Sequence, residues 1–126
     1  MADEKNAFTP EEEAKREQEF MEAAIKIIMP AGDARHNASE SVDALIAGDD
    51  EKAEELLKEA HQNILAAHKV QTELIQSEAA REMNTGTSTK IPLLFIHAQD
   101  TLMTIMSEVT LTESMEKMYR SLRDSR

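Results

Sequence analysis

The chain has 126 residues, 31% of them charged, and a formal net charge of −11, a size that suits one domain. Such an acidic balance excludes nucleic acid and anionic membrane surfaces as partners, because phosphates are held by Lys and Arg. There is no cysteine, which excludes a disulfide framework and a thiolate metal site, and no apolar run reaches the ~18 residues of a membrane span.

The N-terminus, M-A-D-E-K-N-A-F, is acidic and has no apolar centre, so it does not read as a signal peptide. A cytoplasmic location with no membrane insertion is the expectation. Aromatic residues make up 3%, and there are three glycines and three prolines. That is helix composition. A small helical domain with so few large side chains buries a thin core, and oligomerisation is the expected remedy.

Residues 1–9 read as a flexible segment, with Phe8 a candidate staple, and the domain as 10–126. Thr9-Pro10-Glu11-Glu12 predicts a helix start, with Thr9 as cap, Pro10 in the first helical position and Glu12 completing a capping box. The apolar series Phe20, Ala24, Ile27, Ala31, Ala34, Ala38, Val42, Leu45 keeps its phase past Pro30 and Gly32. It predicts one long helix over about 10–47, bent at Met29–Gly32 because proline removes a hydrogen bond and crowds the preceding turn.

Gly48 marks the stop, and Asp49 or Asp50 caps a second helix. Its stripe is Ala53, Leu57, Ala60, Ile64, Ala67, Gln71, Leu74, running to about Met83. Asn84–Thr89 is small and polar and reads as a mobile loop. Pro92 then falls in the first turn of a third helix that runs to about Leu122. Its core stripe is Ile91, Phe95, Ala98, Leu102, Ile105 and Val109. The three stripes predict an all-α, antiparallel up-down-up three-helix bundle.

The third helix has two further faces. His97, Asp100, Thr101, Thr104 and Glu108 form a polar strip away from the core stripe, and Ile96 and Met103 form a second apolar flank beside it. A helix apolar on two separate sides must bury both. One side faces its own bundle, and the other asks for a partner, most simply a second copy of the chain.

His97 is the sharpest candidate for chemistry. Neutral imidazole is a good nucleophile near pH 7, and a phosphoryl group on its nitrogen is reactive enough to pass onward. The bland alternative is a partly buried histidine bonded to a neighbour's backbone. A single Asp100 is no metal site, but three copies on a symmetry axis would converge, repel and invite a hard divalent cation. His36, His61 and His68 read as structural or exposed. No Glu-x-x-His pair, H-E-x-x-H, Gly-rich phosphate loop or G-x-S-x-G occurs.

The stretch L-L-F-I-H-A-Q-D-T-L-M-T-I-M, with A-H-K-V-Q-T-E-L-I (Ala67–Ile75) and A-G-D-D-E-K-A (Ala47–Ala53), resembles the enzyme IIA component of the lactose/cellobiose (N,N′-diacetylchitobiose) family. That family serves the bacterial phosphoenolpyruvate-dependent sugar phosphotransferase system. The resemblance covers roughly residues 15–120. It implies a homotrimer of nine helices and a cytoplasmic phosphotransferase component for a β-disaccharide such as cellobiose, lactose or chitobiose. His97 would accept a phosphoryl group from phospho-HPr and hand it to a cysteine of enzyme IIB. Gln99 would hydrogen-bond the phosphoryl group, and Asp100 would gather at the three-fold axis around one divalent cation, Mg2+, per trimer.

Two departures from the family pattern stand out. Thr101 occupies the position where many members carry a second histidine near the phosphoryl group. Met29-Pro30-Ala31-Gly32 introduces a proline into the first helix. Two other classes compete: a histidine phosphotransfer domain of two-component signalling, and a non-catalytic helical adaptor. The first of these normally shows H-x-x-K-G, whereas Asp100 and Thr101 stand where Lys and Gly would be needed.

Overall fold

A computed structural model describes residues 8–125. It has three helices, α1 (Pro10–Ile46), α2 (Asp50–Thr85) and α3 (Leu93–Asp124). Cross-helix pairs fix their directions. Arg16 meets Glu78 and Asn37 meets Glu59, so α1 and α2 are antiparallel. His61 meets Glu113 and Asp50 meets Arg123, so α2 and α3 are antiparallel. Phe20 meets Phe95 and Arg35 meets Glu108, so α1 and α3 are parallel. This is the expected up-down-up bundle.

α1 starts where its cap predicts. The Thr9 hydroxyl accepts from the Glu12 amide at 3.2 Å and donates to the Glu12 carboxylate at 3.1 Å. The capping box is therefore closed through the hydroxyl, not through the Thr9 amide. Of the segment read as flexible, residues 1–7 lie outside the described residues. Phe8 is half-buried, with the Arg81 guanidinium 3.8 Å above its ring centroid. α1 then runs unbroken through Pro30. At the other end Gly48 has φ 86°, the left-handed stop that glycine tolerates. Asp49 caps α2 by accepting from the Lys52 amide at 3.1 Å.

The core follows the three stripes. Phe20, Ala24, Ile27, Ala31 and Ala34 from α1, Ala60 and Ala67 from α2, and Phe95, Ala98, Leu102, Ile105 and Val109 from α3 form one cluster. Alanines dominate two of the three helices, so the backbones approach closely and few large side chains fill the interior. The Phe20 and Phe95 rings meet edge to face at 4.9 Å, a favoured aromatic geometry.

The connection between α2 and α3 departs from expectation. Asn84 and Thr85 belong to α2, which ends at Gly86 with φ 70°. The following segment is tied down, not mobile. Thr89 is buried, its amide donates to Glu78 Oε1 at 2.6 Å, and its hydroxyl donates to Glu78 Oε2 at 2.9 Å. Arg16 adds bonds to Oε2 from Nε and Nη2 at 3.2 and 3.1 Å. Pro92 caps α3 and is not its first residue. The far end is held by Arg123, whose fork grips both oxygens of Asp50 at 2.9 and 2.7 Å.

Candidate functional site

α3 presents three faces, and each carries one part of the candidate site. Phe95, Ala98, Leu102, Ile105 and Val109 are buried, which turns His97 and Asp100 outward, where both are exposed. The bland expectation of a partly buried His97 is thus not met.

The polar strip faces the groove between α1 and α3. Glu108 shows this directly: Arg35 of α1 donates to its two oxygens at 2.8 and 2.9 Å. His97 lies on the same line of α3, about three turns nearer the N-terminus. The hydrogen bonds to Glu108 hold the Arg35 guanidinium all the more firmly protonated, against a smaller cost from burial. Arg35 was not among the expected residues, although Glu108 was on the expected strip.

Thr101 is beside His97 but its proton is committed. Its hydroxyl donates to the His97 carbonyl at 2.8 Å, the back-bond that threonine makes within a helix. So bonded, the hydroxyl presents lone pairs and not its proton to its other neighbours.

Gln99 is not on this side. Two residues along a helix turn the side chain roughly 200°, and Gln99 faces α2. There it lines a groove of about 340 Å³ with Phe20, Ile75, Glu78, Ile91, Phe95 and Ile96. Within one chain the fold therefore separates Gln99 from His97.

Asp100, at the edge of the polar strip, borders the third face. Leu93, Ile96, Met103, Leu111, Met118 and Leu122 are all exposed there, with Asp100 between Ile96 and Met103. Among the described residues Asp100 has no side-chain hydrogen bond or ion pair, and no three His, Cys, Asp or Glu side chains converge within one chain. The other histidines are accounted for elsewhere. His36 pairs with Glu40 at 2.9 Å and His61 with Glu113 at 2.6 Å, and His68 lies 3.4 Å from the Thr72 hydroxyl.

Comparison with known proteins bears on the family and the fold. The family described as PTS system, Lactose/Cellobiose specific IIA subunit matches residues 22–120. The lactose-specific EIIA component of the PTS of Lacticaseibacillus casei is 36% identical over 107 residues, covering 85% of this chain and 91% of that protein. The lichenan-specific phosphotransferase enzyme IIA component of Bacillus subtilis is 34% identical over 109 residues, covering 86% and 94%. Among solved structures, PtcA from S. mutans superposes with a TM-score of 0.73 at 37% identity, over 82% of this chain and 96% of that one. The cellobiose-specific enzyme IIA from Bacillus anthracis superposes with a TM-score of 0.74 at 34% identity, over 85% and 94%.

Proposed function

Because the chain belongs to the lactose/cellobiose-specific IIA subunit family of the phosphotransferase system, and is a phosphocarrier component of PTS sugar uptake, we propose that His97 is the residue that carries the phosphoryl group. The observation that supports this most is the placement of His97: an exposed imidazole on the polar strip of α3, set beside α1 and backed by a packed core.

The chemistry is an exchange of one N–P bond for another. A ring nitrogen of His97 attacks phosphorus on the phosphohistidine of HPr. The donor's N–P bond breaks as the new one forms, and the donor imidazole leaves. In the second step a cysteine sulfur of enzyme IIB attacks the same phosphorus, and His97 leaves as imidazole. Neither step asks for a new covalent group from the protein, only for position and charge.

The exposed seam of α3 supports a homotrimer. Leu93, Ile96, Asp100, Met103 and Ser107 follow the 3-4-3-4 spacing of helices that supercoil around one another, and Leu111, Met118 and Leu122 extend the same exposed side. Three copies of α3 packed along this seam bury its apolar residues and bring Asp100 to the axis. One carboxylate per chain then becomes three, a hard oxygen donor set that fits a divalent cation such as Mg2+. That ion would neutralise three like charges held close together. In such an assembly Gln99, which faces away from its own His97, is free to serve the His97 of a neighbouring copy.

The sugar is proposed as a β-linked disaccharide or oligosaccharide, since relatives named for lactose and lichenan align over nearly their whole length. The location is proposed as cytoplasmic, and among the described residues no helix is long and apolar enough to cross a membrane. The test is incubation with phosphoenolpyruvate, enzyme I and HPr. An acid-labile phosphate on the native chain, absent from His97→Gln, supports the proposal. Undiminished labelling of His97→Gln overturns it.

A further inference from the structure

Phe8 stands one residue before the cap of α1, where an apolar side chain ordinarily packs on the fourth residue of the helix it precedes. That fourth residue is Glu13, which offers no apolar partner. The ring turns instead to α2 and lies over the Arg81 guanidinium, with the central carbon 3.8 Å from the ring centroid. A cation on the face of an aromatic ring is attracted by the ring quadrupole, more strongly where water is excluded. Arg81 meets that condition, since its side chain is only 8% exposed.

What Arg81 holds gives this contact its reach. Its Nη1 donates to the Thr87 carbonyl at 3.0 Å and to Glu78 Oε1 at 3.3 Å. Thr87 is tied a second time to the end of α2, its amide donating to the Thr85 hydroxyl at 3.2 Å. Glu78 in turn takes the amide and the hydroxyl of Thr89. Two residues beyond Thr89, Ile91 lines the groove that also holds Ile96 and Gln99. A continuous line of contacts thus runs from Phe8, through the Arg81 fork, to one wall of that groove.

Phe8 is the member of this line that can leave without breaking a helix. Its ring is half-buried and lies ahead of the first turn of α1. It can therefore lift while all three helices stay folded, as weakly held terminal units do. We infer that Phe8 is a latch on the α2–α3 connection. Seated, its ring keeps the Arg81 fork on Thr87 and Glu78 and holds the Ile91 wall of the groove in place. Lifted, it lets water reach the guanidinium, and residues 87–91 loosen together with that wall. The latch is made of contacts within one chain and stands whether or not His97 carries phosphate.

The experiment is amide hydrogen exchange, with side-chain NMR, on the full chain and on its Phe8→Ala and Phe8→Tyr variants. Phe8→Ala accelerates exchange at residues 87–91 by about fivefold or more, leaves residues 98–109 at native rates, and shifts the Ile91 methyl and Gln99 side-chain amide signals. Phe8→Tyr, which keeps the ring face, behaves as the native chain. Native exchange at 87–91 in Phe8→Ala overturns the latch. So does acceleration confined to residues 11–13, which makes Phe8 a part of the α1 start alone. Equal acceleration at 98–109 also overturns it, because Phe8 then stabilises the whole bundle and not this connection.

Discussion

Glu78 and Thr89 form the contact that sets where α3 begins: one buried carboxylate takes the backbone amide of Thr89 on one oxygen and its hydroxyl on the other, at 2.6 and 2.9 Å. With Arg16 and Arg81 on its remaining sides, Glu78 turns a stretch of small polar residues into a fixed connection two turns ahead of His97. Removing one partner from a buried charged pair costs about 3–5 kcal/mol. Glu78→Ala therefore lowers the melting temperature by on the order of 10 °C, and hydrogen exchange at residues 87–91 accelerates ahead of global unfolding.

The same group makes stability depend on acid. Burial pushes the Glu78 carboxyl up, but the Thr89 hydroxyl and amide bonds and the Arg16 pair together outweigh it and hold the group below its ordinary value. A carboxylate depressed in the folded state stabilises the fold above its unfolded pKa, and that contribution is lost as pH falls through the folded value. Melting temperature should fall as pH drops below about 4. In Glu78→Gln the drop should be shallower, with a lower starting point at pH 7. An unchanged pH profile in that variant would contradict this role.

Ser41 and Glu116 make a second buried polar contact. The Ser41 hydroxyl lies 2.8 Å from the Ala53 carbonyl and 2.9 Å from Glu116 Oε2, yet it has one hydrogen for two acceptors. An amide at position 116 would donate to Ser41 and free that hydrogen for Ala53. Glu116→Gln should therefore change stability by less than about 1 kcal/mol, whereas Ser41→Ala, which strips a partner from a buried carboxylate, should cost about 1–3 kcal/mol. Thermal or urea denaturation at pH 7 decides it, and a larger loss in Glu116→Gln than in Ser41→Ala would be the contrary result.

The proposed trimer and its proposed ion separate in Asp100→Leu. Replacing mutually repelling buried carboxylates by apolar groups is often neutral or stabilising. The variant should remain trimeric by sedimentation, lose its bound divalent cation, and no longer respond to a chelator. Monomers of Asp100→Leu would show that the ion, and not the seam from Leu93 to Leu122, holds the copies together.

Most of the bundle was legible from period alone. Phe20, Ala24, Ile27, Ala31, Ala34 and Ala38, and the series from Phe95 to Val109, are buried as their spacing requires, because a 3.6-residue period commits a face without any knowledge of its neighbour. One long helix was expected to pass Pro30, and α1 does run through it as one element: packing along the whole length outweighs one missing hydrogen bond. The loop before α3 was misread because its restraint comes from Glu78, eleven residues away, and no local pattern encodes that reach. A signal was nonetheless present. Glu78 continues the α2 stripe after Gln71 and Leu74, and Glu116 continues the α3 stripe after Val109 and Thr112. A charged residue in phase with a core stripe is one that must find partners inside.

The site was legible in part. His97 on a polar strip, and a second apolar flank, followed from the helical projection, while the role of the imidazole came from family resemblance. The commitment of the Thr101 proton and the pairing of Arg35 with Glu108 depend on three-dimensional register, which a single helix projection does not contain.

The central claim is that phosphate rests on one imidazole out of four. The most direct measurement is the site of modification itself: phosphorylate the chain with phosphoenolpyruvate, enzyme I and HPr, keep it alkaline, and assign the phosphorylated ring by nitrogen-correlated NMR. The account predicts one shifted imidazole, that of His97, with His36, His61 and His68 unmoved. A phosphoryl group on any of those three, with His97 unmodified, contradicts it.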